Sequence, residues 1–460
     1  MSFTRRQILA GLLGLTAVGL GTGGVRYWLG RPENLATHDY ELIAAPLDLE
    51  LVPGQITPAW AYGGQAPGME LRCRQGERLR VRFINKLEVP TTIHWHGIRL
   101  PLAMDGVPYV SQLPVLPGEY FDYDFITPDA GSFWYHPHTA SSEQLGRGLV
   151  GALIVEEREP SGFRHERTLS LKNWHVDEQG AFSDFSVPRE AARGGTPGRL
   201  STVNGVHAPI LELPAGQVVR LRILNLDNTL TYRLNLPGTE ARIYALDGNP
   251  IDPRPLGKAY WLGPGMRIEL GLRVPAAGID LSLRNGPLRL ATLRAVASSE
   301  ALADWPPALP ANPIAEPDLA TAETLSFNFE WVGALSQGLA QGTAQGTAHS
   351  FWQINGQAWD SKDKGCADKP IARLQLGKSY VFELRNLSQY QHPIHLHGMT
   401  FKVLASNRNK IIPYFTDTYL LGKNERARVA LVADNPGVWM FHCHVIDHME
   451  TGLMASIEVV

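Results

Sequence analysis

Three cysteines in 460 residues are too few for a disulfide scaffold and do not fit a cysteine-rich zinc module. No excess of one charge is present either. Lys and Arg number 42 against 45 Asp and Glu, a net charge of −3, which excludes the basic field that nucleic-acid binders use. Methionine is scarce, at eight residues. What the chain does have is 45 Gly and 33 Pro, so turns are frequent and many short strands are favoured over long helices. Its 44% apolar and 19% charged residues exclude disorder along the whole chain, because that composition buries enough apolar surface to offset the ordering entropy. The length suits about three domains of roughly 150 residues each.

The first 35 residues read as an address. Arg5-Arg6 precedes an uncharged Gly/Leu/Ala-rich run of 18 residues, Ile8 to Val25. That is just long enough to span a bilayer, so an N-terminal anchor stays open. Paired arginines before a moderately apolar run resemble a twin-arginine export signal, which predicts folded export to the bacterial periplasm. No clean A-x-A cleavage site follows, and membrane contact is expected only through this segment if it is retained.

The remainder repeats itself. Gly76 to Asn85 reappears as Gly216 to Asn225 and again as Gly377 to Asn386. Each copy is a turn glycine, an alternating strand and an asparagine nine residues after the glycine. Leu79, Val81 and Phe83 alternate with Arg78, Arg80 and Arg82, the period of a half-buried antiparallel strand. Nine residues past the asparagine, copies one and three carry His94-Trp95-His96-Gly97 and His395-Leu396-His397-Gly398, whereas the middle copy has Leu234-Asn235-Leu236-Pro237. A second block pairs Gly131 to His138 with Gly437 to His444. These are three related β-units, the middle one without ligand-type residues, and they predict an all-β chain of consecutive β-sandwiches. The expected domains are 36–160, 161–305 and 306–460, after a segment 1–35. Residues 158–165 and 305–318 are expected linkers, and the Gly/Ala/Gln-rich stretch 333–349 a mobile surface loop.

Four His-x-His pairs occur, at 94/96, 136/138, 395/397 and 442/444, where random placement would give roughly half a pair. Residues i and i+2 of a strand share a face with Cα atoms about 6.6 Å apart, so a pair serves two neighbouring ions better than one. Four pairs converging from units one and three would wall in a cluster of several metals. Cys443 lies between His442 and His444 and points to the opposite face, where His448 and the unpaired His392 complete a His2Cys set, the blue-copper electron-transfer arrangement. Zinc on this cysteine would leave eight paired histidines without purpose.

On these motifs the chain resembles a multicopper oxidase of the three-domain bacterial laccase type. The signatures are HWHG (94–97), WYHPH (134–138), HPIHLHG (392–398) and HCHVIDHMETGLM (442–454). The resemblance implies three consecutive cupredoxin-like Greek-key β-sandwich domains and four copper ions. It places the type 1 copper on His392, Cys443 and His448, and the type 2 copper on His94 and His395. His96, His136, His138, His397, His442 and His444 would hold the type 3 pair. The other five histidines, 38, 165, 175, 207 and 349, are expected at the surface or in structural roles.

Two positions depart from the family pattern. Some relatives carry an axial Met ten residues after the cysteine; here it is Leu453, with Met454 next, which implies a three-coordinate type 1 copper of raised potential. Relatives often place a Glu just after the last type 1 histidine; here Met449 stands there and Glu450 follows, so Glu450 is the candidate in that proton relay. Asp105, in Met104-Asp105-Gly106, matches the acid that relatives hold beside the cluster, although an ordinary Asp-Gly turn is the alternative.

The implied reaction takes single electrons near an exposed edge of His392 or His448, passes them through Cys443 and reduces O2 to water. The expected donor is a phenol or aromatic amine, because a Met-rich insertion of the kind carried by cuprous oxidases is absent. A metal oxidase acting on Cu(I) or Fe(II) is the alternative, and a copper-free structural envelope protein a remote one. A two-domain copper nitrite reductase is disfavoured by length. A monomer is expected, with no nucleic-acid partner. Cys73 and Cys366 are left either bridging domains one and three or as free thiols.

Overall fold

The computed structural model describes residues 39–332, 350–359, 367 and 369–460. The export-signal segment, His38, the 333–349 stretch, His349 and Cys366 lie outside the described residues. Cys73 is not in a disulfide, and its Sγ lies 3.6 Å from Thr127 Oγ1. No helix among the described residues is long and apolar enough to cross a membrane.

The chain is built as six sheets in three pairs. The first pair has four strands in each sheet, and the second and third pairs have six and five. Each pair encloses its own apolar cluster, drawn from residues 42–155, 169–295 and 327–459, the last joined by Ala191 and Ala192. These are three consecutive cupredoxin-like β-sandwiches. The stretch 305–318 contains no strand but is firmly seated. The guanidinium groups of Arg242 and Arg273 both lie over the Trp305 ring, and Asn312 bonds the backbone of Ala130 and Gly248.

The repeated Gly…Asn unit has one structural cause. Gly76, Gly216 and Gly377 all have φ between +76° and +82°, left-handed turns that a side chain would strain. Asn85, Asn225 and Asn386 end the strands Arg78–Asn85, Val218–Asn225 and Ser379–Asn386. Each donates its amide to two backbone carbonyls, one four or five residues on and one in a neighbouring segment, and accepts an N–H two residues on. This bracket fixes how the chain leaves the strand and where the next motif begins.

The repeats differ in what their polar face meets. Leu79, Val81 and Phe83 are buried as their period requires, while Arg78, Arg80 and Arg82 pair with Asp124, Asp39 and Asp122 near solvent. In the middle copy both faces are buried. Arg220 and Arg222, each 1% exposed, close on the buried Glu269, which also accepts from Ser132 of the first sandwich.

Candidate metal centre

Strand alternation places the histidines. His94–His96 runs antiparallel to Gly131–His136 with His94 opposite His136. His392–Leu396 lies between Gly437–Cys443 and Thr418–Leu421, with His395 opposite both His442 and Thr418. Trp95, Leu396 and Cys443 turn into the apolar cores, so the histidines flanking them face the seam between the first and third sandwiches. There His94 stacks on His397 and His96 on His395, each with ring centroids 3.8 Å apart. All eight paired histidines are buried.

Hydrogen-bond partners assign the ring protons. A carbonyl only accepts, so His94, His136, His395 and His442 carry hydrogen on Nδ1, facing the carbonyls of Asp105, Pro137, Asp417 and Cys443. His397 does the same toward Asp105 Oδ2 at 2.9 Å. Their Nε2 atoms are then bare lone pairs. Those of His94, His136 and His395 have no partner, and those of His397 and His442 point at each other across 3.0 Å. Two lone pairs converging in a dry site repel unless a cation lies between them. Burial and the neighbouring imidazoles hold the pKa of His96, His136, His138, His397, His442 and His444 well below the ordinary value, so they are neutral ligands rather than cations. The donor nitrogens of His138, His397 and His442 lie within 4.8 Å of one another, as do those of His94, His96 and His136 and those of His94, His395 and His397. The residues fit a cluster of soft-to-borderline metal ions.

On the other face of Cys443, its Sγ lies 3.5 Å from His392 Nδ1 and 3.6 Å from His448 Nδ1, which are 3.1 Å apart. Both outer nitrogens are tied. His448 Nε2 donates to Arg193 O at 2.8 Å. Ser388 gives its hydroxyl hydrogen to Asn386 Oδ1 and so accepts from His392 Nε2. Two Nδ1 lone pairs and one sulphur therefore converge, the trigonal His2Cys set that suits copper. Burial pushes the Cys443 thiol far up, so it becomes a thiolate only when a cation arrives. Leu453, paired across from Cys443 by its backbone and 0% exposed, belongs to the same apolar cluster as the cysteine; Met454 turns to the opposite side with Met440 and Trp134.

One expectation is corrected here. Neither His392 nor His448 has an exposed edge; both are 0% exposed. The cause is a segment of the middle sandwich laid across them. Arg193 caps His448, and the preceding helix Pro188–Ala191 offers Ala191 O to the indole N–H of Trp352. The Trp352 ring packs 4.3 Å from His448 and 4.9 Å from His392.

Asp105 is buried at the cluster, accepting from His94 through its carbonyl and from His397 through Oδ2, with Oδ1 lacking a hydrogen-bond partner. Glu450 is placed differently. Its carboxylate accepts the Ser142 N–H at the wall of a groove of about 450 Å3, and burial raises its pKa. Among the other histidines, His165 bonds Glu300, His207 bonds Ser201 O, and the buried His175 bonds Thr196 O.

Sequence reasoning missed Asp417. It accepts from His395 through its carbonyl, and its Oδ1 lies 3.2 Å from His96 Nε2, the mirror of Asp105 with His94 and His397. The signal was hidden by spacing: Asp105 lies eleven residues after His94, Asp417 twenty-two after His395, with two further strands, Phe401–Ser406 and Tyr414–Thr416, between.

Sequence models of the multicopper oxidase family match residues 48–160 and 336–460. A multicopper oxidase of Pseudomonas thermotolerans known from its crystal structure is 74% identical, with a TM-score of 0.87 over 92% of this chain and all of that one. A Campylobacter jejuni multicopper oxidase described as a metallo-oxidase is 25% identical, with a TM-score of 0.79 over 94% of this chain and 93% of its own. The multicopper oxidase MmcO of Mycobacterium tuberculosis is 27% identical across 94% of this chain and 88% of that protein.

Proposed function

The chain belongs to the multicopper oxidase family, and from that premise we propose that it couples one-electron oxidation of a phenol or aromatic amine to the reduction of O2 to water. Copper supplies one-electron transfer at the His392, Cys443 and His448 set and multi-electron reduction of O2 within the eight-histidine set, four ions in all. The observation that carries the reading is the position of Cys443. It sits in one set while its covalent neighbours His442 and His444 face the other, so a single residue's backbone joins the two.

The remaining steps belong to the protein's own groups. Buried neutral imidazoles with their protons turned outward keep the ligating lone pairs aimed inward. Asp105 Oδ1, buried, without a hydrogen-bond partner and 3.2 Å from His94 Nδ1, is the oxygen placed to relay protons toward the oxygen site. Glu450, on the groove wall with Ser142, stands at the outer end of proton entry. The covered seam excludes water and side reactions from the oxygen site. The donor works from outside the segment that caps His448, so electrons enter through the Arg193 carbonyl or after that segment is displaced. The protein acts as a periplasmic monomer exported by its twin-arginine segment.

Among the described residues, every group of three His, Cys, Asp or Glu able to close on an ion belongs to the two copper sets or to Asp417 beside them. No separate docking site for a metal donor is built from such groups there, which favours the organic donor. The capped edge of His448 favours a second reading, a Cu(I) or Fe(II) oxidase, since an ion enters where an aromatic ring does not; the metallo-oxidase likeness points the same way. Oxygen uptake by copper-loaded protein, ranked by kcat/KM for a phenol, Fe(II) and Cu(I), decides. Phenol within tenfold of the better metal ion is expected, and metal ions ahead by a hundredfold overturn the phenol assignment.

A further inference from the structure

We propose that Arg267, on a strand of the middle sandwich that supplies no ligand, is a positioning residue for the eight-histidine cluster, acting through Asp417 on His96 and His395. The inference rests on the copper-ligand reading above and adds to it a residue from the third party in the assembly.

Arg267 is 0% exposed. It grips Asp417 with two parallel bonds, Nη1 to Oδ1 at 2.9 Å and Nη2 to Oδ2 at 2.6 Å. Its Nε donates to Ser132 O of the first sandwich, and Nη1 also donates to Gly265 O of its own. Its backbone N–H is held by Asp247, whose other oxygen takes the hydroxyl of Thr416, the residue before Asp417. One guanidinium therefore bonds all three sandwiches. The planar fork fixes the carboxylate in rotation as well as position, which a point charge cannot do.

That fixed carboxylate decides a proton position. Asp417 Oδ1 receives Thr418 Oγ1–H at 2.7 Å and lies 3.2 Å from His96 Nε2 and 3.4 Å from His395 Nδ1. Facing an anion, His96 keeps hydrogen on Nε2 and presents Nδ1, which has no partner in the structure. The five cluster histidines assigned above by their partners do the reverse. His96 is thus the exception among them, and the anion that makes it so is held from the middle sandwich. A partner beyond the ligand that fixes tautomer and ring orientation is worth about 10–100-fold in metal affinity or activity.

The glycine of the first motif fits the same account. A Cβ on Gly97 would lie 2.5 Å from Arg267 Nη2 and 2.6 Å from Asp417 Oδ2, so the ion pair occupies the space where a side chain would stand. The matching Gly398 is constrained by something else, the ring of Trp439.

The test compares copper-loaded wild type with Arg267→Gln and Arg267→Lys. Blue absorption per chain reports the Cys443 site, which Arg267 does not touch; total copper and the electron paramagnetic resonance of the type 2 ion report the cluster. Arg267→Gln is expected to keep the blue absorption and to bind cluster copper at least tenfold more weakly, with Arg267→Lys between it and wild type. Unchanged cluster copper in Arg267→Gln overturns the proposal, and so does parallel loss of both sites, which would make Arg267 mere support. A second measurement needs no variant. Nitrogen shifts of 15N-histidine in copper-free wild type are expected to show His96 protonated on Nε2, and protonation on Nδ1 overturns the proposal even if Arg267→Gln does not fold. Wild type that shows no blue absorption would instead sink the copper assignment itself.

Discussion

The outer sandwiches and the middle one use the same strand unit for opposite purposes. The first and third place histidines where their repeated motifs end and leave the repeat's charged side chains toward solvent. The middle one has no histidine there, yet it touches both metal sites. Arg193 caps His448, Thr196 bonds Asp447 beside it, the Gly265 backbone packs on the His444 ring, and Arg267 holds Asp417. In the proposed reading the ligands come from two domains and part of their orientation from the third, through Arg193 and Arg267. A domain without ligand-type residues is therefore not a spacer, because ring protons and rotamers at a metal site are set by the groups behind the ligands.

The sharpest break in this comparison is at the outer sandwiches. Cys443→Ser removes the one sulphur and is expected to abolish both the blue absorption and donor-driven oxygen uptake while cluster copper remains. Metal analysis and an oxygen electrode check it, and retained uptake would mean that electrons bypass the third sandwich's cysteine. Next comes a matched pair of arginines at the same place in the repeat. Arg220→Ala removes the guanidinium shared by Glu157 and Glu269, both with side chains 6% exposed or less, leaves Glu269 with Arg222 as its one arginine, and is expected to cost about 3–5 kcal/mol in urea unfolding. Arg80→Ala removes an ion pair that water already screens and is expected to leave the midpoint unmoved. Equal effects would erase the contrast between the two faces.

Acid extends the same contrast. Arg220 and Arg222, against the opposing effect of burial, draw the Glu269 carboxyl down to about 2 from its ordinary 4.5. A carboxyl with a depressed folded-state pKa stabilises the fold fully above the unfolded value, and that contribution fades as pH falls from 4.5 toward 2. The difference is worth about 3 kcal/mol. Urea midpoints of wild type are expected to drop over this window by more than those of Glu269→Gln, which starts lower; parallel curves would show that the carboxylate is not the titrating group.

How much of this was legible beforehand depended on whether the signal was local. His-x-His pairs, the turn glycines and the strand-ending asparagines act within a few residues, so period and spacing exposed them. The two faces of Cys443 followed from strand alternation alone. Arg267 and Asp417 lie 150 residues apart, and neither belongs to a repeat or motif. The cap on His448 was equally invisible. A helix of four residues, Pro188–Ala191, in a domain without ligands carries no mark of what it lies against, and the exposed edge expected there was wrong for that reason.

The smallest expected effect probes a position where no donor atom exists. Leu453 stands opposite Cys443 on the apolar side of its sheet, and Leu453 N–H bonds His448 O at 2.8 Å. Its backbone is thus held by two members of the His2Cys set, and its side chain lies in the same apolar cluster as Cys443. Replacing it with methionine conserves volume and brings a thioether toward the trigonal site. A weak axial sulphur favours the oxidised ion, so Leu453→Met is expected to lower the type 1 potential in a redox titration, with copper content and urea midpoint unchanged. An unmoved potential would mean that residue 453 does not face the metal. Met454→Leu serves as the control, because Met454 sits with Met440 on the other side of the strand and its loss is expected to leave the potential where it was.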